Sequence, residues 1–322
     1  MTPTPHPSTP PLFIVFNLGS GKGNAEEARR VIAEGCAAAG REHHLFVADD
    51  PSQIGKRVRE ALAGAQAAQG ALVAAGGDGT INAVAQAALG SGCVFGVLPQ
   101  GTFNYFSRTH GIPSDTAEAL DVLLNAQPQA VQVGLVNERV FLVNASLGLY
   151  AKLLEDREGF KAQYGRSRWV AVAAALKTIA RGDKHWDLRI GWRGEERNIR
   201  TPTLFVGNNA LQLEQIGMPQ AEAVEEGELA AIALKPIRAR AMLWLMVRGA
   251  FGRLGEAANI LSITFKSITV KPARGRPDRR VKVAADGEIQ WMQMPLTFRV
   301  APEPLWLLKP PPGSAVAEEA RR

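Results

Sequence analysis

Two rhythms of apolar and polar positions divide the chain. Over the first 130 residues, short apolar runs alternate with longer stretches of helical period. Leu12–Asn17 (LFIVFN), His43–Ala48, Leu72–Ala75 and Val94–Leu98 (VFGVL) read as strands. Asn24–Ala39 reads as a helix stopped by Gly40, and Pro51–Ala65 as a second one opened by its proline. Ile81–Leu89, the short Asn104–His110 and Ser114–Asn125, with Ser114 as N-cap, complete the helical set. Alternation at this spacing predicts a parallel sheet with helices on both faces. After residue 130 the pattern becomes separate β-type runs: Arg139–Leu149, Trp186–Trp192, Thr201–Val206, Glu228–Leu234, Ser262–Lys271, Arg280–Ala285 and Leu296–Val300. Short polar links between several of them predict an antiparallel sheet or sandwich, interrupted by helical insertions at Ser167–Arg181 and Arg238–Ala258.

The expected class is therefore α/β. An N-terminal doubly wound parallel-sheet domain over residues 12–132 precedes a C-terminal antiparallel β-sandwich-like domain with helical insertions over 133–303. Residues 1–11 (MTPTPHPSTPP) read as a disordered arm, and 304–322 as a return segment followed, from Lys309, by a disordered tail.

Composition narrows the class without naming a chemistry. Hydrophobic residues make up 46% and charged residues 21% of the 322, ordinary for a protein with a proper core. A net charge of +6 is mildly basic, which suits polyanions or an anionic membrane surface better than nucleic acid. Cys36 and Cys93 form neither a disulfide framework nor a zinc spacing, which fits a cytoplasmic chain. The apolar runs Trp169–Leu176 and Ala241–Val247 fall far short of the roughly 20 residues of a membrane helix, so any membrane contact is peripheral.

Three glycine turns follow strands in the first domain: Gly19–Gly23, Gly76–Gly79 and the one at Gly101. In a parallel sheet these lie on one edge, at the carboxyl ends of the strands, where ligands bind. The sharpest is GGDGT at 76–80, a strand turning through glycines into a helix N-terminus. Glycines let the backbone approach a phosphate, and first-turn N–H groups and the helix dipole favour negative charge. The turn around Lys22 is not a Walker A loop, and GSGKG is not the dinucleotide fingerprint.

These motifs resemble the bacterial diacylglycerol kinase-like lipid kinases, relatives of sphingosine and ceramide kinases. The resemblance rests on Asn17–Gly23 (NLGSGKG), GGDGT, LPQGTFNYFSRTHGIP at 98–113, FLVNASLGLYAKLLEDRE at 141–158, FVGNNA at 205–210 and VAADGE at 283–288. It implies transfer of the γ-phosphoryl of ATP, with Mg²⁺, to a hydroxyl of diacylglycerol or a related long-chain lipid at a membrane surface. By the same resemblance Asn17, Ser20, Gly21, Lys22 and Gly23 hold the nucleotide. Gly76, Gly77, Gly79 and Thr80 cradle phosphate, and Gly101, Thr102 and Asn104 close the pocket. Asp78 serves the metal and charge network and Glu288 is the candidate general base. Glu226, in the acidic turn Glu225–Gly227, is a candidate ligand for a structural cation. A homodimer is the default oligomer, and the expected location is cytoplasmic with peripheral contact at the inner membrane face.

Each residue also has a plain reading. Asp286-Gly287 suits a hairpin turn with Glu288 a solvated strand residue, and Lys22 suits an ordinary first-turn lysine. Two positions depart from the family pattern: Tyr105 follows Asn104 where an aspartate is usual, and Gln132 replaces the aspartate of V-D-x-G. Gln132 supplies no negative charge. Two alternatives stay open: a soluble small-molecule kinase of the NAD-kinase kind, and a catalytically weak protein that binds lipid or nucleotide. The apolar stretch Ala241–Val247, with Trp244 and flanked by arginines, is a candidate interface with lipid.

Overall fold

The computed structural model describes residues 10–20, 25–148, 185–236, 259–276 and 278–321, with isolated positions between 241 and 257. The chain forms two compact units. One comprises residues up to Gln132 together with Pro302 onward; the other is Val133–Ala301.

The first unit is built on a six-stranded sheet. Strands β1 (Leu12–Asn17), β2 (His43–Ala48), β3 (Ala71–Gly76) and β4 (Val94–Pro99) run parallel in the order β2-β1-β3-β4. β1 and β3 are buried along their whole length, as strands covered on both faces must be. Helices α1 (Ala25–Ala38), α2 (Ile54–Ala68) and α3 (Asp78–Ala88) make the crossovers. α4 (Tyr105–Thr109) and α5 (Thr116–Asn125) follow β4. α1 packs on α5, and α2 on α3. The N-cap of α5 is Asp115, not Ser114: its carboxylate accepts from the N–H groups of Ala117 (2.9 Å) and Glu118 (3.1 Å).

The sheet is completed by the two segments that flank the second unit in sequence. β5 (Pro128–Val131) is its edge, and the return strand Leu305–Leu308 inserts between β4 and β5, parallel to the first and antiparallel to the second. The tail expected to be disordered contains a helix over Ala315–Arg321, which packs on α4.

Among the described residues of the second unit every strand pairing is antiparallel, and the strands form two six-stranded sheets. Leu188, Ile190, Val270, Leu296 and Phe298 of one sheet share a single apolar core with Leu147, Leu204, Val206, Ala231 and Val283 of the other. That is a sandwich. Two short helices, Ala210–Gln215 and Ala221–Glu225, bury Leu213 and Val224 with Ala230 and Ile232 in a second cluster. The expected insertion at 167–181 lies outside the described residues, as does most of 238–258. No helix of the described residues is long and apolar enough to cross a membrane.

Candidate active site

Strand order decides where a ligand can enter the first unit. From β1 the chain crosses to β2 on one side, and from β3 to β4 on the other, so the order reverses between β1 and β3. A doubly wound sheet opens a crevice at such a switch point, outside the carboxyl ends of the strands. The turns after β1 and β3 flank it.

Hydrogen bonds tie these turns together. The Asn17 amide donates to Thr80 Oγ1 at 2.9 Å, while its Oδ1 accepts from the N–H of Gly19 at 3.0 Å. Ser20 Oγ accepts from the N–H of Gly77 at 3.3 Å. Asn17 and Thr80 are buried, so this polar pair holds the two strand ends in register. Gly77 is the N-cap of α3 and offers no side chain to cap it. The first-turn N–H groups of an α-helix have no partners within the helix. Asp78 and Gly79, both partly buried, open that turn.

A third turn closes in from β4. The N–H of Gln100 donates to the carbonyl of Gly76 at 2.8 Å. Asn104 sits in the left-handed region (φ 48°) and brackets Gly101 from both sides, its Oδ1 accepting from the Gly101 N–H at 3.1 Å and its Nδ2 donating to the Gly101 carbonyl at 3.0 Å. The glycines here answer crowding rather than positive φ. A Cβ on Gly76 would lie 2.7 Å from the Thr80 side chain, and one on Gly101 would lie 2.7 Å from Asn104 Oδ1 and 3.1 Å from the Gly77 Cα. Thr102 and Phe103 are exposed beyond this turn, and Phe103 stacks on Tyr105 with ring centroids 6.1 Å apart.

Of the residues expected to hold a nucleotide, Asn17, Ser20, Gly76, Gly77, Gly79, Thr80, Gly101, Thr102 and Asn104 thus belong to one connected edge of one sheet, with Asp78 among them. Gly21, Lys22 and Gly23 lie outside the described residues.

In the second unit Asp286 (φ 47°) and Gly287 (φ 87°) form the two-residue turn of a hairpin between Arg280–Ala285 and Glu288–Gln293. Both central residues have positive φ, as a type I′ turn requires. Glu288 is exposed at the start of the second strand. Its neighbour Asp286 does something that reading the sequence missed. Its carboxylate accepts from three consecutive backbone N–H groups: Leu142 at 2.7 Å, Val143 at 2.9 Å and Asn144 at 3.0 Å. Asn208 joins the same knot, its side chain donating to the Leu142 carbonyl at 3.0 Å and its N–H to the Val143 carbonyl at 2.8 Å. Asn144 Nδ2 reaches Gln212 Oε1 at 3.0 Å, and Asn209 caps the helix bearing Gln212. Three motifs far apart in sequence, LVNAS, GNNA and ADGE, therefore converge on one buried network. The signal was present as polar residues inside apolar runs.

Glu226 stands exposed at the C-terminal end of the Ala221–Glu225 helix. Among the described residues no group of three or more His, Cys, Asp or Glu side chains gathers to hold a metal. Gln132 and Tyr105 are partly buried. Trp244, in the stretch expected at a lipid interface, is 61% exposed, and most of its neighbours lie outside the described residues.

A doubly wound sheet with glycine turns and an aspartate-bearing helix start at its switch point has the architecture of the phosphate-binding α/β proteins. Comparison with known proteins narrows this class. Residues 11–136 match the model of the diacylglycerol kinase catalytic domain. A protein of Pseudomonas aeruginosa named "Probable lipid kinase YegS-like" is 36% identical over 180 residues, which are 52% of this chain and 58% of that protein. The diacylglycerol kinase of Staphylococcus epidermidis is 33% identical over 137 residues, 42% of either chain. The matches thus span roughly half the length of these curated relatives. The fold extends further: the crystal structure of a diacylglycerol kinase from Bacillus anthracis str. Sterne superposes with a TM-score of 0.68 at 19% identity, covering 94% of this chain and 98% of that one.

Proposed function

We propose that the chain transfers the γ-phosphoryl group of ATP to a hydroxyl of diacylglycerol or a related long-chain lipid alcohol. The observation that carries this is the bonding of the Asn17–Ser20 and Gly76–Thr80 turns across the switch point of the sheet. Such an edge suits a polyphosphate. Gly76 and Gly101 let these turns pack closely, since a Cβ there would meet Thr80 or Asn104, and the uncapped start of α3 favours anions. A phosphate oxygen arriving at the Gly77 N–H would replace the Ser20 hydroxyl as acceptor, leaving that hydroxyl to donate to the phosphate.

Asp78 provides a partly buried carboxylate beside this edge. One or two carboxylates together with phosphate oxygens form the donor set Mg²⁺ takes. Bound there, Mg²⁺ supplies neutralisation of charge on the phosphoryl oxygens. In the transfer the lipid hydroxyl oxygen bonds to the γ-phosphorus, the bond from that phosphorus to the bridging oxygen of ADP breaks, and the hydroxyl proton leaves to a base. Glu288 is assigned as that base from the family motif. The role requires its carboxylate within hydrogen-bond reach of the acceptor hydroxyl.

The test is transfer of label from γ-labelled ATP into mixed lipids, with NAD as a soluble acceptor. Label in an organic-extractable product, lost in Asp78→Asn and Glu288→Gln, supports the proposal; label in NAD alone refutes the lipid assignment. The neutral side chains at Tyr105 and Gln132 favour a second reading, a weak kinase that chiefly binds its ligands. Binding of ATP without transfer to any acceptor would establish it.

A further inference from the structure

A second pocket, away from the glycine turns, lies between α1 and α5. The helices touch where Gly35 meets Leu120; a Cβ on Gly35 would come within 2.5 Å of the Leu120 side chain. Beside this contact opens a cavity of about 560 Å³ lined by Val31, Ala38, Leu120 and Leu124, with Arg41 and Asp121 as its charged residues. Its size falls within the roughly 300–1,000 Å³ usual for small-molecule sites.

Arg41 is the anomaly. α1 ends in a Schellman motif: Gly40 takes φ 61°, its N–H donates to the Ala37 carbonyl (3.1 Å), and the Arg41 N–H donates to the Cys36 carbonyl (2.8 Å). The position after the left-handed residue normally packs an apolar side chain against the last turns of the helix. Here it is an arginine, only 9% exposed. Its buried Nε has no hydrogen-bond partner, and no carboxylate pairs with it among the described residues. Asp121 is engaged elsewhere, by Asn125 Nδ2 at 2.8 Å. Burial pulls the Arg41 pKa below its ordinary value, which is the cost of holding a guanidinium in this place.

We propose that the α1–α5 pocket binds an amphiphile with a single anionic head, carboxylate or phosphate monoester, seated on Arg41 with its aliphatic tail along Leu120 and Leu124. The lining selects this class. An arginine fork matches either head group. No aromatic ring lines the cavity to stack a base, and the Asp121 carboxylate disfavours the several charges of a nucleotide polyphosphate. The assignment is independent of the chemistry proposed at the glycine turns.

Because a lipid kinase has another place for lipid, the readout must be local. In protein labelled with [¹⁵Nε]-arginine, the Arg41 Nε–H signal, assigned by its absence in Arg41→Gln, is followed during titration with decyl phosphate, decanoate, decanol and inorganic phosphate. Saturable movement with decyl phosphate, decanoate or both, and none with decanol, is expected; which head group moves it identifies the source. A signal unmoved by either anionic amphiphile overturns the proposal. Leu124→Trp, which fills the tail channel and leaves Arg41 in place, should weaken decyl phosphate at least tenfold at this signal and leave inorganic phosphate unchanged. Undiminished binding of decyl phosphate in that variant would also overturn it.

Discussion

Asp286→Ala tests whether the second unit is organised by a carboxylate rather than by its hairpin turn. The side chain accepts three backbone N–H bonds at 2.7–3.0 Å, from residues that are themselves buried. Hydrogen bonds to a charged group contribute about 1.5–3 kcal/mol each, and deleting the acceptor leaves buried donors unsatisfied. The bonds share one carboxylate and are not additive, so the expected loss is about 3–5 kcal/mol rather than their sum. Asp286→Asn keeps one carbonyl acceptor and tolerates the left-handed backbone, but presents an amide to an N–H; about 2 kcal/mol is expected. Glu288→Gln, at an exposed position, should stay within about 0.5 kcal/mol of the parent. A two-unit chain need not unfold in one step, so amide hydrogen exchange at Leu142, Val143 and Asn144 is the sharper assay. Their protection should fall by about two orders of magnitude or more in Asp286→Ala and be unaltered in Glu288→Gln. Parental protection in Asp286→Ala would refute the reasoning.

Three further outcomes follow from the first unit. Gly101→Ala places a Cβ against Asn104 Oδ1 and the Gly77 Cα; it should destabilise by about 1–3 kcal/mol and weaken ATP binding more than tenfold by calorimetry. His110 has its pKa lowered from 6.5 to about 3, by burial first and then by Lys309 and Arg321. The folded state thus binds the proton less readily than the unfolded chain, so stability falls as pH drops below 6.5, by up to about 1.4 kcal/mol per unit until about 3; denaturation across pH 7.5 to 4.5 should show this slope reduced in His110→Leu. Gln132→Asp restores the acidic residue of the family pattern and, if charge at the metal limits the reaction, should raise kcat by up to about 10²–10³-fold; an unchanged rate would show that Asp78 suffices.

Much of the first unit was legible because its signals are local. Buried parallel strands are continuous apolar runs, and glycines at strand ends stand out against them, so the sheet and the turns at its edge could be read from the residues. What escaped depends on distance. The return strand Leu305–Leu308 is only four residues long, and nothing near it says that it enters a sheet begun some 290 residues earlier. At the start of α5 two good caps stand side by side, and the sequence reading takes Ser114; the carboxylate that reaches two N–H groups belongs to Asp115. Arg41 reads as a polar residue after a helix stop, and only the fold shows it as a buried charge lining a pocket with α5.

Asp286 shows why the second unit was harder. A type I′ turn accepts Asn-Gly as readily as Asp-Gly, so the turn explains the glycine and the positive φ but not the negative charge. The reason for the charge lies more than 140 residues earlier, in the N–H groups between Arg139–Phe141 and Asn144–Gly148. The turn and the knot make separable demands: asparagine satisfies the first and fails the second. Loss of transfer on changing Asp286 would therefore say little about proton abstraction until protection at Leu142–Asn144 had been measured in the same variant. Glu288, exposed and two residues further on, carries no such structural duty among the described contacts. That makes Glu288→Gln the cleaner probe of the base, and Asp286→Asn the control for the scaffold that holds it.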